Sequence, residues 1–484
     1  MPPTGGSILL KGTASASAGI TGIQYQLNNN DVQIATGTTN WQATLPLAPG
    51  TNGVTVWAVN LSGSSIGALR HFFRSVTNGL ILRTNGFGKI TANFKGTNLL
   101  QGVNYTVTAT PNPNNLFSNW TGGTNLPSGV LGTSNALTFS MQPNLALQAN
   151  FITNVFLAAQ GAYNGLFAVM SQPRAQSNSG AFNFNLTSSG ALSGKLLQGS
   201  NTLTLSGTFG VSGAAQLSSP RAHAIALSTA LQLDFTGRSV SGTVSDGSFT
   251  AQLYGDRKPA ATPLAGAYTM IIPGTNNPAN GPLGTSAGTV KIDAAGNLTF
   301  AGSLADNTAV SQSTAVSKDG FWPFYVLLYG GNGSIWGWNL LTNHAITTQG
   351  ISWINPTNKT ATAVNRSGFT NQSVTMIGAS YVPTNVPLLK LTNGLVTLTG
   401  GGLPAAVTIH INFGANNAIT VTNIMEKTNK LTLTVNKTTG QITGSFLRGG
   451  KTIPITGVLL QSSTNDSVYF TNTNQIGDFQ LTPK

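Results

Sequence analysis

Apolar and polar residues alternate along nearly the whole chain. The segment ITGIQYQLNNNDVQIATG, residues 20–37, is typical: Ile23, Tyr25 and Leu27 recur with a period of two, and an Asn-Asn-Asp turn precedes the next strand. A period of two places every second side chain on the same face of a β-strand. Segments with a helical period are almost missing, so the pattern predicts an all-β protein.

Turn residues divide the strands into several domains. The chain has 484 residues, and one domain usually takes about 100–200. We predict an immunoglobulin-like sandwich at 1–78, a small β-repeat module at 79–153, β-barrel-like domains at 157–258 and 263–370, and a β-barrel or β-meander domain at 371–484. Within the sandwich, the residues expected between the two sheets are Trp41, Leu45, Val54, Val56, Ala58 and Phe73.

A recurrent glycine pattern supports the barrel prediction. GAYNG at 161–165 recurs as GAYTM at 266–270, and segments follow in which a turn glycine precedes an apolar residue, a hydroxyl residue and a second glycine. The first glycine can adopt a positive φ at a turn, and the second lets its strand bend. We therefore predict two or three antiparallel meanders closed as barrels. The glycine pairs are Gly190 and Gly194, Gly237 and Gly242, and Gly440 and Gly444.

Two N-terminal segments resemble families of bacterial modules. Residues 47–63 carry Leu-Ala-Pro-Gly-Thr-Asn and then Val54, Val56, Ala58, Asn60 and Gly63, a pattern similar to bacterial immunoglobulin-like domains of surface proteins. Residues 79–153 resemble the divergent internalin-B-type repeat. That resemblance implies a compact β-module of exported proteins, acting as a spacer or in adhesion, and it implies no catalysis. The matching positions are Gly86, Gly88, Gly102, Tyr105, Ala109, Pro111, Phe117, Trp120, Met141, Asn144, Ala149 and Phe151.

The remainder, residues 155–484, resembles in a general way the β-rich C-terminal regions of large surface proteins from environmental bacteria. This resemblance implies a secreted or cell-surface location. The start MPPTGGSILLKG lacks the basic stretch and long apolar run of a signal peptide. We therefore expect the chain to be a fragment of a longer exported protein.

The low content of charged residues and their scattered positions indicate which kinds of partner the chain could bind. Charged residues make up only 7% of the chain, against about 25% in ordinary globular proteins, so hydroxyl and amide groups must cover the surface. The net charge of +13 is spread singly along the chain, which favours nonspecific attraction to anionic polymers. A specific nucleic-acid site would gather Lys and Arg on one face, and a membrane span would need about 18 consecutive apolar residues. We predict neither.

No local motif predicts catalysis, a metal or a cofactor. Cysteine is absent and the four histidines lie far apart, whereas metal sites need clustered ligands. A hairpin could bring together Asp234 with Asp246, or Asp306 with Asp319, but aspartate in such turns is ordinary turn chemistry. GSSIG at 63–67 matches the G-x-S-x-G motif without its strand-to-helix context. We assign no catalytic residue, no cofactor-binding residue and no metal ligand.

The stretch 319–339 holds three of the seven tryptophans. FYVLLY at 324–329 is apolar on both faces, which predicts a strand buried on both sides or one whose outer face meets another domain. Trp336 and Trp338 share a face of the returning strand at a separation of about 7 Å, close to that of alternate sugar rings. With Trp353 and Trp322 they form a candidate ligand platform. The alternative is that these indoles fill the interior of a barrel.

These features favour a non-catalytic extracellular stalk, adhesion or carbohydrate-binding accessory segment of a bacterial surface protein. The expected partner is a polysaccharide or a cell-surface glycan. Two alternatives stay open. One is a secreted hydrolase of a polysaccharide or ester polymer, and the other is a self-assembling β-rich fibre protein whose exposed strand edges pair.

Overall fold

A computed structural model of the chain describes residues 6–124, 129–171, 173–275, 277–342, 345–357, 367–383, 393–414, 419–461, 466–472 and 475–483. Strands dominate these residues, and the helices among them are the four-residue Phe156–Ala159 and the short 3₁₀ turns Tyr329–Gly331 and Ile424–Asn429. The all-β prediction is therefore confirmed. The chain forms two compact units, Met1–Asn154 and Val155–Lys484.

The first unit begins with a sandwich of two sheets. One sheet has the strand order β1-β5-β4, and the other has the order β3-β2-β6-β7 with β8 also paired to β6. Leu45 and Val54 are fully buried between them, with Trp41, Val56 and Ala58 packed against this core. The strands are β1 (Ser7–Thr13), β2 (Gly22–Leu27), β3 (Gln33–Ile34), β4 (Thr36–Gly37), β5 (Asn40–Pro46), β6 (Gly50–Asn60), β7 (Gly63–Ser64) and β8 (Ala68–Arg74).

One residue expected in this core lies outside it. Phe73 is 42% exposed, and its neighbour Phe72 packs against the core instead. Side chains alternate along a strand, and Phe72 lies opposite the buried Asn52 while Phe73 lies opposite the exposed Thr51. The pairing register of β8 thus decides which of the two adjacent phenylalanines turns inward.

The β-repeat module follows in the same unit. Its sheets have the orders β10-β17-β14-β15, β11-β13-β16 and β12-β9, with β10 and β17 running parallel. Trp120 is fully buried in the core of the module. The strands are β9 (Thr77–Gly79), β10 (Ile81–Asn85), β11 (Gly88–Ala92), β12 (Asn98–Leu100), β13 (Asn104–Pro111), β14 (Asn115–Thr124), β15 (Val130–Gly132), β16 (Ala136–Ser140) and β17 (Leu145–Thr153).

The two glycines at 86 and 88 are explained by Phe151. A Cβ at Gly88 would lie 2.4 Å from the Phe151 ring, and a Cβ at Gly86 would lie 2.2 Å from the Phe151 carbonyl oxygen. Gly86 also has a φ of +82°, a conformation that glycine adopts without strain. The G-x-G of this module therefore makes room for an aromatic core residue.

The second unit contains three antiparallel sheets. The first has the order β21-β20-β19-β18-β25-β24-β23-β22. The first strand in the chain, β18, pairs with the last, β25, and the two edge strands of the sheet, β21 and β22, follow each other in the chain. The Ser219 hydroxyl donates to Thr204 O (2.7 Å) across those two ends, so the sheet is a nearly closed barrel. The strands are β18 (Gly161–Ala168), β19 (Ser179–Leu186), β20 (Ala191–Gln198), β21 (Asn201–Thr208), β22 (Ala214–Arg221), β23 (Ala224–Asp234), β24 (Ser239–Ser245) and β25 (Thr250–Arg257).

The second sheet repeats this plan. Its order is β29-β28-β27-β26-β34-β32-β31-β30, with β33 paired to β32 outside that path. Gln312 Nε2 donates to Pro323 O (2.8 Å) and so joins β29 to β30, the two ends of the sheet. The strands are β26 (Gly266–Ile272), β27 (Ser286–Ile292), β28 (Asn297–Ser303), β29 (Ala309–Ala315), β30 (Phe321–Leu328), β31 (Gly333–Thr342), β32 (Ala345–Asn355), β33 (Phe369–Val374) and β34 (Ile377–Tyr381).

The third sheet has the order β37-β36-β35-β42-β41-β40-β39-β38, again with first and last strands paired. It packs against the second sheet. The Thr269 hydroxyl of β26 donates to Leu459 O (2.6 Å), and the Tyr381 hydroxyl of β34 donates to Lys437 O (2.8 Å). The strands are β35 (Asn393–Gly400), β36 (Val407–Phe413), β37 (Ile419–Val421), β38 (Thr432–Val435), β39 (Gln441–Arg448), β40 (Lys451–Val458), β41 (Asp466–Asn472) and β42 (Gln475–Pro483).

The strand glycines of the recurrent pattern lie where neighbouring strands approach closely. A Cβ at Gly194 or Gly242 would lie 1.9 Å from a carbonyl oxygen of the adjacent strand, and one at Gly444 would lie 2.1 Å from such an oxygen. These positions therefore admit only glycine without a shift of the backbone.

Each turn of the pattern makes the same kind of hydrogen bond, in which the carbonyl oxygen of the residue with positive φ accepts from a backbone N–H. Gly190 and Gly440 have φ values of +83° and +73°, and their carbonyl oxygens accept from Phe209 N and Leu459 N, respectively. At the third turn Gly237 does not take this conformation. Arg238 has a φ of +56° instead, and its carbonyl oxygen accepts from Arg257 N.

Candidate functional site

The tryptophan-rich stretch forms the hairpin of β30 and β31. FYVLLY lies mostly in β30, where Phe324, Val326 and Leu328 face the core of the second sheet. Tyr325 faces the opposite way and packs against Leu166 of the first sheet. Of the two predicted alternatives, the structure supports a strand whose outer face meets another sheet, since Tyr325 is buried there while Leu327 on the same face is 39% exposed.

Trp322 and Trp353 lie in the core of the second sheet. Trp322 is 0% exposed and Trp353 is 2% exposed, and the Trp322 indole N–H donates to Gln312 Oε1 (2.9 Å). They fill the interior, as the alternative prediction proposes. Neither offers a broad face on which a polymer could stack.

Trp336 and Trp338 share the outer face of β31 and are half-buried. Both pack beside the cluster formed by Leu166, Ala181 and Tyr325. The Trp336 indole N–H donates to Gly180 O of the first sheet (2.8 Å). The four tryptophans of the candidate platform are therefore split between the core and the junction of two sheets, and ligand binding by them stays a prediction.

Arg174 completes one side of this junction, and sequence reasoning missed it. The side chain is 6% exposed. Its guanidinium donates to the hydroxyls of Ser334 (2.7 Å) and Ser352 and to both of their carbonyl oxygens, and it lies 5.9 Å from the centroid of the Trp336 ring. Burial lowers the pKa of Arg174 to about 10. This arginine joins the two sheets through hydroxyl, carbonyl and aromatic groups. Because the side chain is buried, this side of the junction offers little surface to a ligand.

On the other side, three aromatic rings cross the junction. We call Tyr254, Trp338 and Phe321 the aromatic row. The Trp338 ring lies edge-on to Tyr254, with centroids 6.0 Å apart, and edge-on to Phe321, with centroids 6.2 Å apart. Tyr254 is 46% exposed, and the other two rings are half-buried. Alternation along β25 and β31 places the first two rings on the outer faces of their sheets, so the row borders solvent.

A buried carboxyl lies beside the row. Asp256 is 5% exposed, and its Oδ1 accepts a hydrogen bond from the Tyr254 hydroxyl (3.0 Å). Its Oδ2 has no hydrogen-bond partner among the described residues. Burial raises the pKa of Asp256, the Tyr254 hydroxyl opposes that rise, the negative charge of Asp319 adds to it and Lys318 opposes it. The row therefore borders a carboxyl that holds its proton more tightly than an ordinary aspartate.

The acid pairs considered from the sequence serve in turns. Asp234 and Asp246 lie at opposite ends of β24, and Asp306 and Asp319 flank opposite ends of β29. Asp246 forms an ion pair with Arg221 (2.7 Å) and Asp319 forms one with Lys318 (2.6 Å). Strand topology thus keeps the members of each pair apart.

The serine of the GSSIG motif is likewise a turn residue. The Ser65 hydroxyl accepts a hydrogen bond from Ala58 N (2.9 Å). Within the described part of the chain, no three His, Cys, Asp or Glu side chains gather closely enough to hold a metal ion. No helix there has the length and apolar character to cross a membrane.

Comparison with known proteins bears on the first unit. Residues 80–155 match the family model of the divergent InlB B-repeat domain. The resemblance predicted for residues 79–153 is thereby confirmed. The match covers the β-repeat module and ends where the three sheets of the second unit begin.

Comparison with curated proteins gave no match. Among solved structures, the chain is similar to the vaccine antigen transferrin binding protein B from Haemophilus parasuis, in a mutant form. The similarity covers 90% of this chain and 84% of that chain, with 8% identity and a TM-score of 0.17. A TM-score this low supports no conclusion about fold or function.

Proposed function

We propose that this chain is a non-catalytic, extracellular segment of a bacterial surface protein and that its aromatic row binds carbohydrate. The match of residues 80–155 to the divergent InlB B-repeat domain supports the first part, because the resemblance implies a module of exported proteins. The scarcity of charged residues, 7% of the chain, supports it further, since hydroxyl and amide surfaces suit extracellular β-modules.

The observation that carries the second part is the half-exposed Tyr254 ring in contact with Trp338 across two sheets. Aromatic rings present an apolar face that can pack against the C–H face of a sugar, while a polar group nearby fixes the orientation of its hydroxyls. The Tyr254 hydroxyl and Asp256 supply such polar groups. Neighbouring rings of the row are inclined at 64° and 85°, so the sugar packs on the face of Tyr254, the most exposed ring, with Trp338 beside it.

The proposal is tested with polysaccharides in affinity electrophoresis. Cellulose derivatives, xylan, β-glucan, mannan and peptidoglycan fragments are compared, and the wild-type chain is expected to be retarded by at least one. Trp338→Ala is expected to weaken that interaction by about tenfold or more, a loss of about 1.4 kcal/mol. Trp57→Ala is the matched control, because Trp57 is a half-buried tryptophan in the other compact unit.

Circular dichroism and the thermal unfolding midpoint identify a Trp338→Ala variant that has lost its fold. For such a variant, Tyr254→Ala provides a second test, since Tyr254 is the most exposed ring of the row. If no polymer binds the wild-type chain, or if both variants bind as tightly as wild type, carbohydrate binding by the row is wrong.

One observation favours a second function, hydrolysis of a polysaccharide. A buried carboxyl with a raised pKa beside exposed aromatic rings is typical of a general acid, and Asp256 has these properties. A glycosidase also needs a second carboxylate about 5 to 10 Å away, and Asp319 is the acidic residue whose negative charge adds to the rise in the pKa of Asp256. Release of reducing ends by the wild-type chain, abolished in Asp256→Asn, would show that the chain is an enzyme.

A further inference from the structure

The second sheet contains a cavity apart from the aromatic row. It has a volume of about 220 Å³ and lies between the segment that follows β26 and strand β33. That volume equals the liquid volume of about seven water molecules, so it suits one small ring rather than a polymer chain. Its polar lining comes from Thr275, Asn280, Asn371, Ser373 and Thr375.

Hydrogen bonds hold the two walls of the cavity together. Thr275 N donates to Pro282 O (2.9 Å) and so closes the segment on itself. Asn371 Nδ2 donates to Asn280 O (2.8 Å), and Asn371 Oδ1 accepts from Ser373 N (2.9 Å). Because Asn371 bonds to both walls, hydrogen bonds within the chain itself fix the shape of the cavity, as is usual for small-molecule sites.

Trp353 forms the aromatic part of the lining. Its Nε1–H is buried and makes no hydrogen bond of ordinary geometry with the described residues, although it lies near the Tyr329 hydroxyl. That hydroxyl donates instead to Asp306 Oδ2 (2.8 Å). Trp353 is only 2% exposed, so it forms part of the cavity wall and leaves hydrogen bonding with a ligand to the amide and hydroxyl groups of the lining.

The chemistry of the lining selects the class of ligand. None of the residues that line the cavity is charged, so a charged ligand would lose its hydration without gaining a counter-charge. Amides and hydroxyls both donate and accept hydrogen bonds, which matches a ligand rich in hydroxyl groups.

We infer that this cavity is a second carbohydrate site, which takes a single neutral sugar ring. The inference rests on the proposed carbohydrate-binding function and adds to it a separate site for a monosaccharide or a terminal sugar residue. Trp353 lies in the wall of the cavity, and the Ser373 and Thr375 hydroxyls at the exposed rim orient the hydroxyl groups of the sugar.

The test follows the indole N–H signals of the full chain by ¹H–¹⁵N NMR. D-glucose, D-galactose, D-mannose and N-acetyl-D-glucosamine are titrated in turn, and the Trp353 signal is identified by its loss in Trp353→Phe. We expect at least one sugar to shift that signal in a saturable way. A Ser373→Ala/Thr375→Val variant, which removes two hydroxyls and leaves Trp353 in place, is expected to bind that sugar about tenfold more weakly.

Trp338→Ala separates this site from the aromatic row. If the sugar still shifts the Trp353 signal in Trp338→Ala with affinity within about twofold of wild type, the cavity binds independently and the inference is supported. If polymers bind through Trp338 and no monosaccharide moves the Trp353 signal, the cavity is not a sugar site and the proposed function stands. If neither polymers nor monosaccharides bind, the proposed function is wrong and the cavity site is wrong with it.

Discussion

Asp256 lies in β25 and Asp246 lies in the turn that precedes this strand, yet the fold moves their pKa values in opposite directions. Burial raises the pKa of Asp256. A hydrogen bond from the Ser248 hydroxyl, together with Arg221, lowers the pKa of Asp246 to about 2, even though its partial burial opposes this. A single side-chain type therefore contributes to stability with opposite signs, according to the partners that its position provides.

This difference predicts opposite pH dependences for two matched variants. The folded state of wild type holds the Asp256 proton more tightly than the unfolded state, so ionisation costs stability as pH rises above the usual aspartate range. Asp256→Asn should therefore gain stability relative to wild type between acid pH and pH 7. Ionised Asp246 stabilises the fold above the usual range and loses this effect as pH falls toward about 2. Asp246→Asn should be the less stable protein at pH 7, with a deficit that shrinks in acid.

Urea unfolding of wild type and both variants across this pH range measures the two slopes. If both substitutions changed the unfolding free energy in the same direction as pH rises, the opposite pKa shifts assigned to Asp256 and Asp246 would be wrong.

The sequence could place Tyr254 and Asp256 on one face of a strand through their spacing, but nothing local shows that this outer face borders another sheet. Arg174 was missed for the same reason, because its partners Ser334 and Ser352 are more than 150 residues away along the chain.

The strand glycines act at the level of the hairpin. Gly194, Gly242 and Gly444 each lie against a carbonyl oxygen of the neighbouring strand, so their function is to let two backbones approach where the sheet curves. The sequence pattern predicted these hairpins well, because positive φ and close approach are local demands that select glycine. It was less successful at Gly237, where Arg238 takes the left-handed conformation.

Gly194→Ala is expected to destabilise the second unit by about 1–3 kcal/mol, because the added methyl group must displace the backbone of β19. Gly22→Ala is the matched control: it also lies in a strand, and a Cβ there would meet no atom within 4 Å. That change should alter the unfolding free energy by less than about 0.5 kcal/mol. Equal effects of the two substitutions in urea denaturation would refute the close-approach explanation.

At the scale of the whole molecule, the chain consists of two compact units with separate cores. The sequence predicted sheets of alternating strands, since these follow from the period of two in the apolar positions. It could not predict which outer faces pack together. Tyr325 and Leu166 meet because both expose an apolar group on an outer face, and many other strands show the same alternation.

We predict that residues 155–484 fold and bind polysaccharide without residues 1–154. The core clusters of the second and third sheets and the aromatic row lie within this unit, and a unit with its own core can usually fold alone. Expressed separately, it should show the same urea midpoint for its own transition as in the full chain, and the same retardation in polysaccharide gels. A shifted midpoint or lost binding would show that the first unit is required.

The pairing of first and last strands has a consequence for how such a chain is made. Gly161–Ala168 hydrogen-bonds with Thr250–Arg257, so a nascent chain carries an unpaired strand edge until its partner is synthesised about ninety residues later. During that interval the unfinished sheet is open to wrong partners. Pairing of the final strand then covers the exposed edge and completes the sheet, and the same pairing of first with last strand occurs for β26 with β34 and for β35 with β42.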